Sequence, residues 1–212
     1  MDPLQQLLAG FARFRDKYFD EDPTLFAQLA SEGQSPKVAV VACCDSRVDP
    51  AIITECAPGD LFIIRNVANL VPPYEPEGTY HGTSAALEFA VRGLGVEHII
   101  ILGHAQCGGI RALIGGSGLP ADSGKADFIN TWVSIAEPAR QRVFADPALT
   151  DTDQRARACE LEAIRVSLQN LMSFPWIREA VESDKLKLHG WYFNIESGQM
   201  LQYDHDRGEF QS

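Results

Sequence analysis

The chain has 212 residues, 45% of them hydrophobic, which suffices for one α/β domain with a sizeable core, and no shift in composition divides it. Its formal net charge of -11 excludes the basic footprint that nucleic acid or an anionic membrane surface requires, and leaves a small neutral or dissolved-gas substrate open. No apolar run nears the roughly 20 residues of a membrane helix, the first residues carry Arg13, Arg15 and Asp16 rather than a signal-peptide pattern, and the five cysteines, an odd number, are expected as reduced thiols in the cytoplasm.

Leu4, Leu7, Leu8, Phe11 and Phe14 recur at helical spacing and predict an amphipathic helix, which Asp20 to Pro23 interrupt before a second short helix, Thr24 to Ala30. Residues 1–32 therefore read as a helical arm that needs a surface to lie on. Gly33 to Pro36 turn the chain into a first strand, Lys37 to Ala42. Asp49 and Pro50 supply the cap and first residue of a short helix ending near Glu55, and Pro58-Gly59-Asp60 turns into a second strand, Leu61 to Arg65. Asn66 to Tyr80 is proline-rich and aperiodic, which suggests a functional covering loop. A helix over Thr83 to Arg92 closes at Gly93 and Gly95 before a third strand, His98 to Gly103.

A short helix to Ile114 follows, and Gly115-Gly116-Ser117-Gly118 reads as a flexible connector because it lacks the Lys and Ser/Thr of a phosphate loop. Helices are predicted over Ala126 to Phe144, interrupted near Pro138, and over Thr152 to Met172, capped by Asp151. Phe174-Pro175-Trp176 breaks the helix, and Ile177 to Glu182 adds a last turn or two. Leu186 to Ile195 and Met200 to Tyr203 form two strands around the turn Glu196 to Gln199. The alternation predicts an α/β fold: a mainly parallel sheet of four to five strands flanked by helices, with an N-terminal helical arm and an antiparallel edge strand, all within one domain, 1–212.

Two of these strands break directly into reactive residues. Val38 to Val41 runs into Ala42-Cys43-Cys44-Asp45-Ser46-Arg47, and the third strand runs into His104-Ala105-Gln106-Cys107-Gly108-Gly109. Ligand sites in open α/β sheets lie outside such carboxyl ends. Thiols and an imidazole brought there together make a zinc site, whose fourth position is either water or, in a closed state, the Asp45 carboxylate. A purely structural zinc is the alternative, although such sites usually pair two Cys-x-x-Cys knuckles and only one local pair exists here. Two thiolates leave a bound water less acidic than three imidazoles would, so its deprotonation needs help. Asp45 can accept a hydrogen bond from the oxygen, and Arg47 can hold Asp45 bidentately, ionised and off the metal. Either Cys43 or Cys44 could reach zinc, and strand alternation sends the two to opposite faces. Cys56 and Cys159 have no partner at metal spacing and are assigned to packing.

Cys43-x-Asp45-Ser46-Arg47 followed by His104-x-x-Cys107 resembles the β-class carbonic anhydrases, and the likeness extends over most of the chain through Arg65 to Asn69, Glu88 to Ala90 and His189-Gly190-Trp191. The resemblance implies one Zn2+ per chain held by Cys43, His104 and Cys107; strand alternation then points Cys44 away as a small buried hydrophobe. The resemblance also implies an Asp45–Arg47 catalytic dyad and the reversible hydration of carbon dioxide to bicarbonate by zinc-hydroxide attack. Gln34, Phe62 and Val67 match substrate-pocket positions, and Gly108 would let its backbone N–H approach the substrate. Phe89 stands where many plant-type members have Tyr, so the pocket shape is kept and a proton-relay hydroxyl is lost. The partner implied is a second copy of the chain, in a dimer or a tetramer of dimers. His81, next to Tyr80 on the covering loop, reads either as a proton shuttle or as an ordinary surface or interface histidine. Relatives with the same ligands hydrolyse carbonyl sulfide or carbon disulfide, so such a hydrolase is an alternative, as is a non-catalytic zinc-stabilised regulatory module. One branch of the family has an inhibitory bicarbonate pocket. At its positions this chain carries Val40, Arg65 and Phe193, so only the cation remains and no such pocket is expected.

Overall fold

A computed structural model describes residues 2–115 and 128–212. The expected connector at 116–118 and the first residues of the helix predicted from Ala126 lie outside the described residues. Two compact units are distinguished, Met1–Ser35 and Pro36–Ser212.

In the first unit, α1 (Pro3–Arg15) starts with Pro3 in its first turn and is capped by Asp2, whose carboxylate accepts the Leu4 N–H. A wider-wound turn (Asp16–Glu21) leads to α2 (Thr24–Glu32). Phe14, Tyr18, Phe19 and Phe26 cluster where these segments fold back, the Phe19 and Phe26 rings lying 4.9 Å apart. The rest of the apolar stripe of α1 is exposed: Leu7 is 71% exposed, with Leu4, Leu8 and Phe11 similar.

The second unit is built on a sheet ordered β2-β1-β3-β4-β5-β6, from β1 (Val38–Cys43), β2 (Leu61–Asn66), β3 (His98–His104), β4 (Lys187–Phe193), β5 (Met200–Asp204) and β6 (Glu209–Gln211). The first four are mutually parallel and the last two antiparallel. Among the described residues six strands form rather than four or five, because the short β6, with one aromatic residue between two polar ones, carries too little periodicity to be read in advance. β1 and β3 are central and buried along nearly their whole length, which is why both are runs of Val, Ile and Ala rather than alternating patterns.

Helices α3 (Pro50–Thr54), α4 (Gly82–Glu88), α5 (Gly108–Gly115), α6 (Ile129–Val133), α7 (Glu137–Ala145), α8 (Thr152–Leu171) and α9 (Pro175–Glu182) surround the sheet. α8 packs across β3 and β4, placing Ile164, Leu168 and Leu171 in one core with Ala39, Val41, Ile99 and Ile101. Its cap is the predicted one, since Asp151 accepts the Gln154 N–H at 2.8 Å. A short tight turn, Ser134–Ala136, separates α6 from α7, so the interruption falls just before Pro138, which sits in the first turn of α7. Among the described residues no helix is long and apolar enough to cross a membrane.

Candidate metal centre

β1 and β3 are neighbours, paired from Val38↔His98 to Ala42↔Leu102, so Cys43 and His104 emerge side by side at their carboxyl ends. The turn after β3 brings Cys107 back beneath them. Their ligand atoms lie within 4.8 Å of one another, and all three residues are buried. The Cys43 and Cys107 sulfurs are 4.0 Å apart, far too long for a disulfide and near the ~3.8 Å that two sulfurs take on a tetrahedral zinc with bonds of about 2.3 Å.

The imidazole is oriented for the same purpose. His104 Nδ1 faces the Ala105 carbonyl oxygen at 2.8 Å, which fixes the proton on that nitrogen. Nε2 is buried and has no hydrogen-bond partner among the described residues. A buried lone pair left without a donor is costly unless a cation occupies the space it faces. The donor set of two sulfurs and one nitrogen suits zinc, and the residues present fit that ion.

The thiols share their protons unequally. The hydrogen bond from Cys107 holds the Cys43 thiol well below its ordinary range, against the opposing effect of burial and with help from the Asp45 and Ala68 backbone N–H groups. That same bond, then burial, pushes Cys107 up. Burial disfavours charge on His104, but the neighbouring Cys43 thiolate outweighs it and the net shift is upward. A first proton thus leaves the cluster readily and a second one only against an adjacent negative charge, an arrangement that a divalent cation reverses.

Two arginines build the loop beyond Cys43. Arg65, from β2, donates to the Cys43 carbonyl at 3.0 Å, to the Asp45 carbonyl at 2.8 Å and to the Asp49 carboxylate at 2.7 Å. Asp49 meanwhile caps α3 by accepting the Ala51 and Ile52 N–H groups. Arg47 grips Asp45 bidentately with one edge of its guanidinium, Nε to Oδ1 at 2.9 Å and Nη2 to Oδ2 at 2.7 Å, while its backbone N–H also donates to Oδ1 at 3.0 Å. The guanidinium holds the Asp45 carboxyl well below the usual carboxylate range. Both carboxylate oxygens are engaged with Arg47, and Asp45 stands outside the Cys43–His104–Cys107 group.

The remaining predicted positions separate into those at the cluster and those away from it. Val67 packs against the apolar group that contains Cys43 and Cys107. Gly108 is exposed at the start of α5, where an added Cβ would meet nothing within 4 Å. Phe62 and Phe89 approach each other, with ring centroids 6.0 Å apart, but Phe62 lies opposite Ala39, at the amino end of β1 rather than at its Cys43 end. Phe89 is 51% exposed. Gln34 is an exposed residue at the end of the first unit. Cys44 corrects one expectation: it is exposed rather than a buried hydrophobe, because β1 ends at Cys43 and Cys44 stands beyond the last layer of core side chains. Cys159 is buried in α8, and Cys56 is half-buried.

Three further features were not read from the sequence. Gln106, between His104 and Cys107, adopts φ 58°, and Ala68 and Asn69 on the facing loop adopt φ 64° and 49°, so strained backbone flanks the cluster. Gly109 must lack a side chain, since a Cβ there would lie 2.8 Å from Val67 Cγ1 and 2.9 Å from Ala68 Cβ. Glu160 reaches the Cys107 backbone from α8. The available signal for Glu160 was its place in the stripe Ala156, Cys159, Glu160, Ala163, Ile164 and Ser167, all of them buried.

The carbonic anhydrase family profile matches residues 38–200. Beta carbonic anhydrase 3 of Arabidopsis thaliana is 38% identical over 198 residues, which cover 93% of this chain and 76% of that protein. Among solved structures, that of the β-carbonic anhydrase CcaA has a TM-score of 0.89 at 34% identity, covering 99% of this chain and 91% of its own. One of two tetrameric β-carbonic anhydrases from the ascomycete Sordaria macrospora has a TM-score of 0.82 at 28% identity over the whole of both chains. The matched region spans both loops that meet in the Cys43–His104–Cys107 cluster, and the chain belongs to the β-class carbonic anhydrases, zinc enzymes that hydrate carbon dioxide.

Proposed function

We propose that Cys43, His104 and Cys107 would hold the zinc, that Asp45 and Arg47 are the catalytic dyad, and that Asp45 stays with Arg47 rather than joining the ligands. The observation that carries this reading is the pairing of an unpartnered His104 Nε2 facing two thiols with an Asp45 carboxylate whose oxygens are both gripped by Arg47. When bound, zinc supplies the Lewis acidity that makes a water nucleophilic near neutral pH. Asp45, ionised and fixed, accepts a hydrogen bond from the attacking oxygen and so turns its lone pair toward the substrate carbon. Arg47 keeps that acceptor charged and away from the ligands. Val67 provides an apolar wall for a linear substrate, and the Gly108 N–H approaches from the open side of α5.

Gln34, Phe62 and Phe89 complete the substrate pocket in a homo-oligomer whose minimal unit is a dimer and whose larger form is a tetramer built from two dimers. Support comes from the exposed apolar stripe of α1, which reads as an arm over residues 1–32 lying on a second copy, and from the tetrameric Sordaria macrospora relative. The free thiols suit a reducing cytoplasm. The test is stopped-flow hydration of carbon dioxide with a pH indicator on the zinc-loaded chain, run beside a carbonyl sulfide assay on the same preparation. Fast hydration that disappears with the metal and in Cys43→Ala is expected. Carbonyl sulfide turnover without hydration would reassign the substrate, and neither activity at one zinc per chain would leave a structural metal.

A further inference from the structure

We propose that Glu160 is a positioning residue for the metal centre: its carboxylate, carried on α8, clamps the Cys107 backbone N–H to the Tyr192 hydroxyl and so fixes the second ligand loop against the sheet. The inference rests on the zinc reading above and concerns how the ligand Cys107 is held.

Glu160 is 5% exposed in a helix face that is otherwise small and apolar, so a carboxylate there has to be matched donor for donor. It is matched. Oε1 accepts the Cys107 N–H at 3.0 Å, and Oε2 accepts the Tyr192 hydroxyl at 2.7 Å. Tyr192 is fully buried on β4, and the Arg157 guanidinium lies over its ring, 4.1 Å from the centroid, and donates to its oxygen. The clamp therefore joins three elements: α8 through Glu160 and Arg157, β4 through Tyr192, and the β3–α5 turn through Cys107. The turn needs such a hold because Gln106 sits at φ 58° and because the N–H just ahead of α5 has no carbonyl of its own helix to bond. Released, the Cys107 N–H and the Tyr192 hydroxyl would both be buried without acceptors. A glutamine offers one acceptor and one donor, so it serves one partner fully and mismatches the other.

The test uses the full-length chain as wild type, Glu160→Ala, Glu160→Gln and Tyr192→Phe, each loaded with zinc and separately with cobalt. Chelator competition should give a zinc dissociation constant weakened about 10- to 100-fold in Glu160→Ala and less in the other two, as is typical for residues that orient metal ligands. The cobalt–thiolate absorption band should shift in Glu160→Gln, while the melting temperature of the metal-free chain falls only by the few degrees that one mismatched buried group costs. If Glu160→Ala does not fold, Glu160→Gln and Tyr192→Phe carry the same comparison. Wild-type dissociation constants and cobalt spectra in the folded variants overturn the role of Glu160 alone. A wild-type chain that takes up no zinc, or keeps it in Cys43→Ala, overturns the zinc reading beneath it.

Discussion

Arg47 Nη2 donates to the Gln106 carbonyl oxygen at 3.2 Å, so the cation that grips Asp45 also reaches the loop between His104 and Cys107. One guanidinium thereby couples the acceptor side of the site to its ligand side. Arg47→Ala should keep the three ligands and the zinc but lower turnover on the order of 10- to 100-fold. Arg47→Lys should recover little, because a single ammonium cannot hold both carboxylate oxygens. Zinc content per chain and stopped-flow hydration, measured together, check this. Full activity in Arg47→Ala would remove the dyad.

Asp45→Asn probes the other half of the pair. The amide cannot act as an ionised acceptor, and its NH2 faces the donors of Arg47, so the expected result is one zinc per chain with turnover reduced by at least about 10-fold. Unchanged hydration at neutral pH in this variant is the outcome that excludes Asp45 from the chemistry.

The cysteines should separate cleanly. Cys43→Ala and Cys107→Ala are expected to lose zinc, whereas the exposed Cys44→Ala keeps it. Zinc affinity should also fall as the solution is acidified, since both thiols must be deprotonated to bind and the shared proton of the Cys43–Cys107 pair is the harder to remove. Metal analysis after dialysis decides the first point, and chelator competition at a series of pH values the second.

A pH-dependent term far from the metal arises at the opposite ends of β3 and β4, where His98 Nδ1 and His189 Nε2 lie 3.0 Å apart. One ring donates and the other accepts, so double protonation destroys the bond. Burial first, then the charges of His98, His205 and Lys187, holds His189 below its ordinary range. A base depressed in the fold takes its proton in the unfolded chain first. The stability it contributes is therefore complete above about pH 6.5 and declines as pH falls below that value. Melting temperature should drop on acidification less in His189→Gln than in wild type. Parallel curves for the two proteins would exclude the pair as a source of acid sensitivity.

Each of the three guanidinium nitrogens of Arg65 already donates, to the Cys43 carbonyl, the Asp45 carbonyl and Asp49. Val40 and Phe193, at the other two positions of the family's bicarbonate pocket, offer no side-chain hydrogen bond. Seating a bicarbonate there would break bonds that shape the ligand loop and leave polar groups unmet at roughly 1–3 kcal/mol each. Activity should follow a simple pH profile, without a steep bicarbonate-dependent loss below neutrality. Hydration rates across pH with and without added bicarbonate measure this, and a multi-proton drop that deepens with bicarbonate is the contrary result.

What the sequence disclosed was whatever depends on local pattern. The β-branched runs of β1 and β3, the Asp49 and Asp151 caps and the breaks into Cys43 and His104 were all legible, because each is decided within a few residues. β6 was not, being three residues long and held by its neighbour β5 rather than by its own composition. Cys44 was misjudged because alternation gives a face but not where a strand stops. Glu160 and Gly109 escaped for another reason. Their roles exist only through contacts with Cys107, Val67 and Ala68 that no spacing rule supplies.

The adjacency of β1 and β3 has a kinetic consequence. Cys43 and Cys107 are 64 residues apart, and no local hairpin or knuckle brings them together before the central strands have paired. Ion capture therefore comes after the slow non-local step of folding rather than nucleating it. Contacts absent from the transition state leave the folding rate alone and slow its reverse. The metal in this chain acts as a latch on a finished sheet: it lengthens the lifetime of the native state, and its removal should be felt first as faster unfolding.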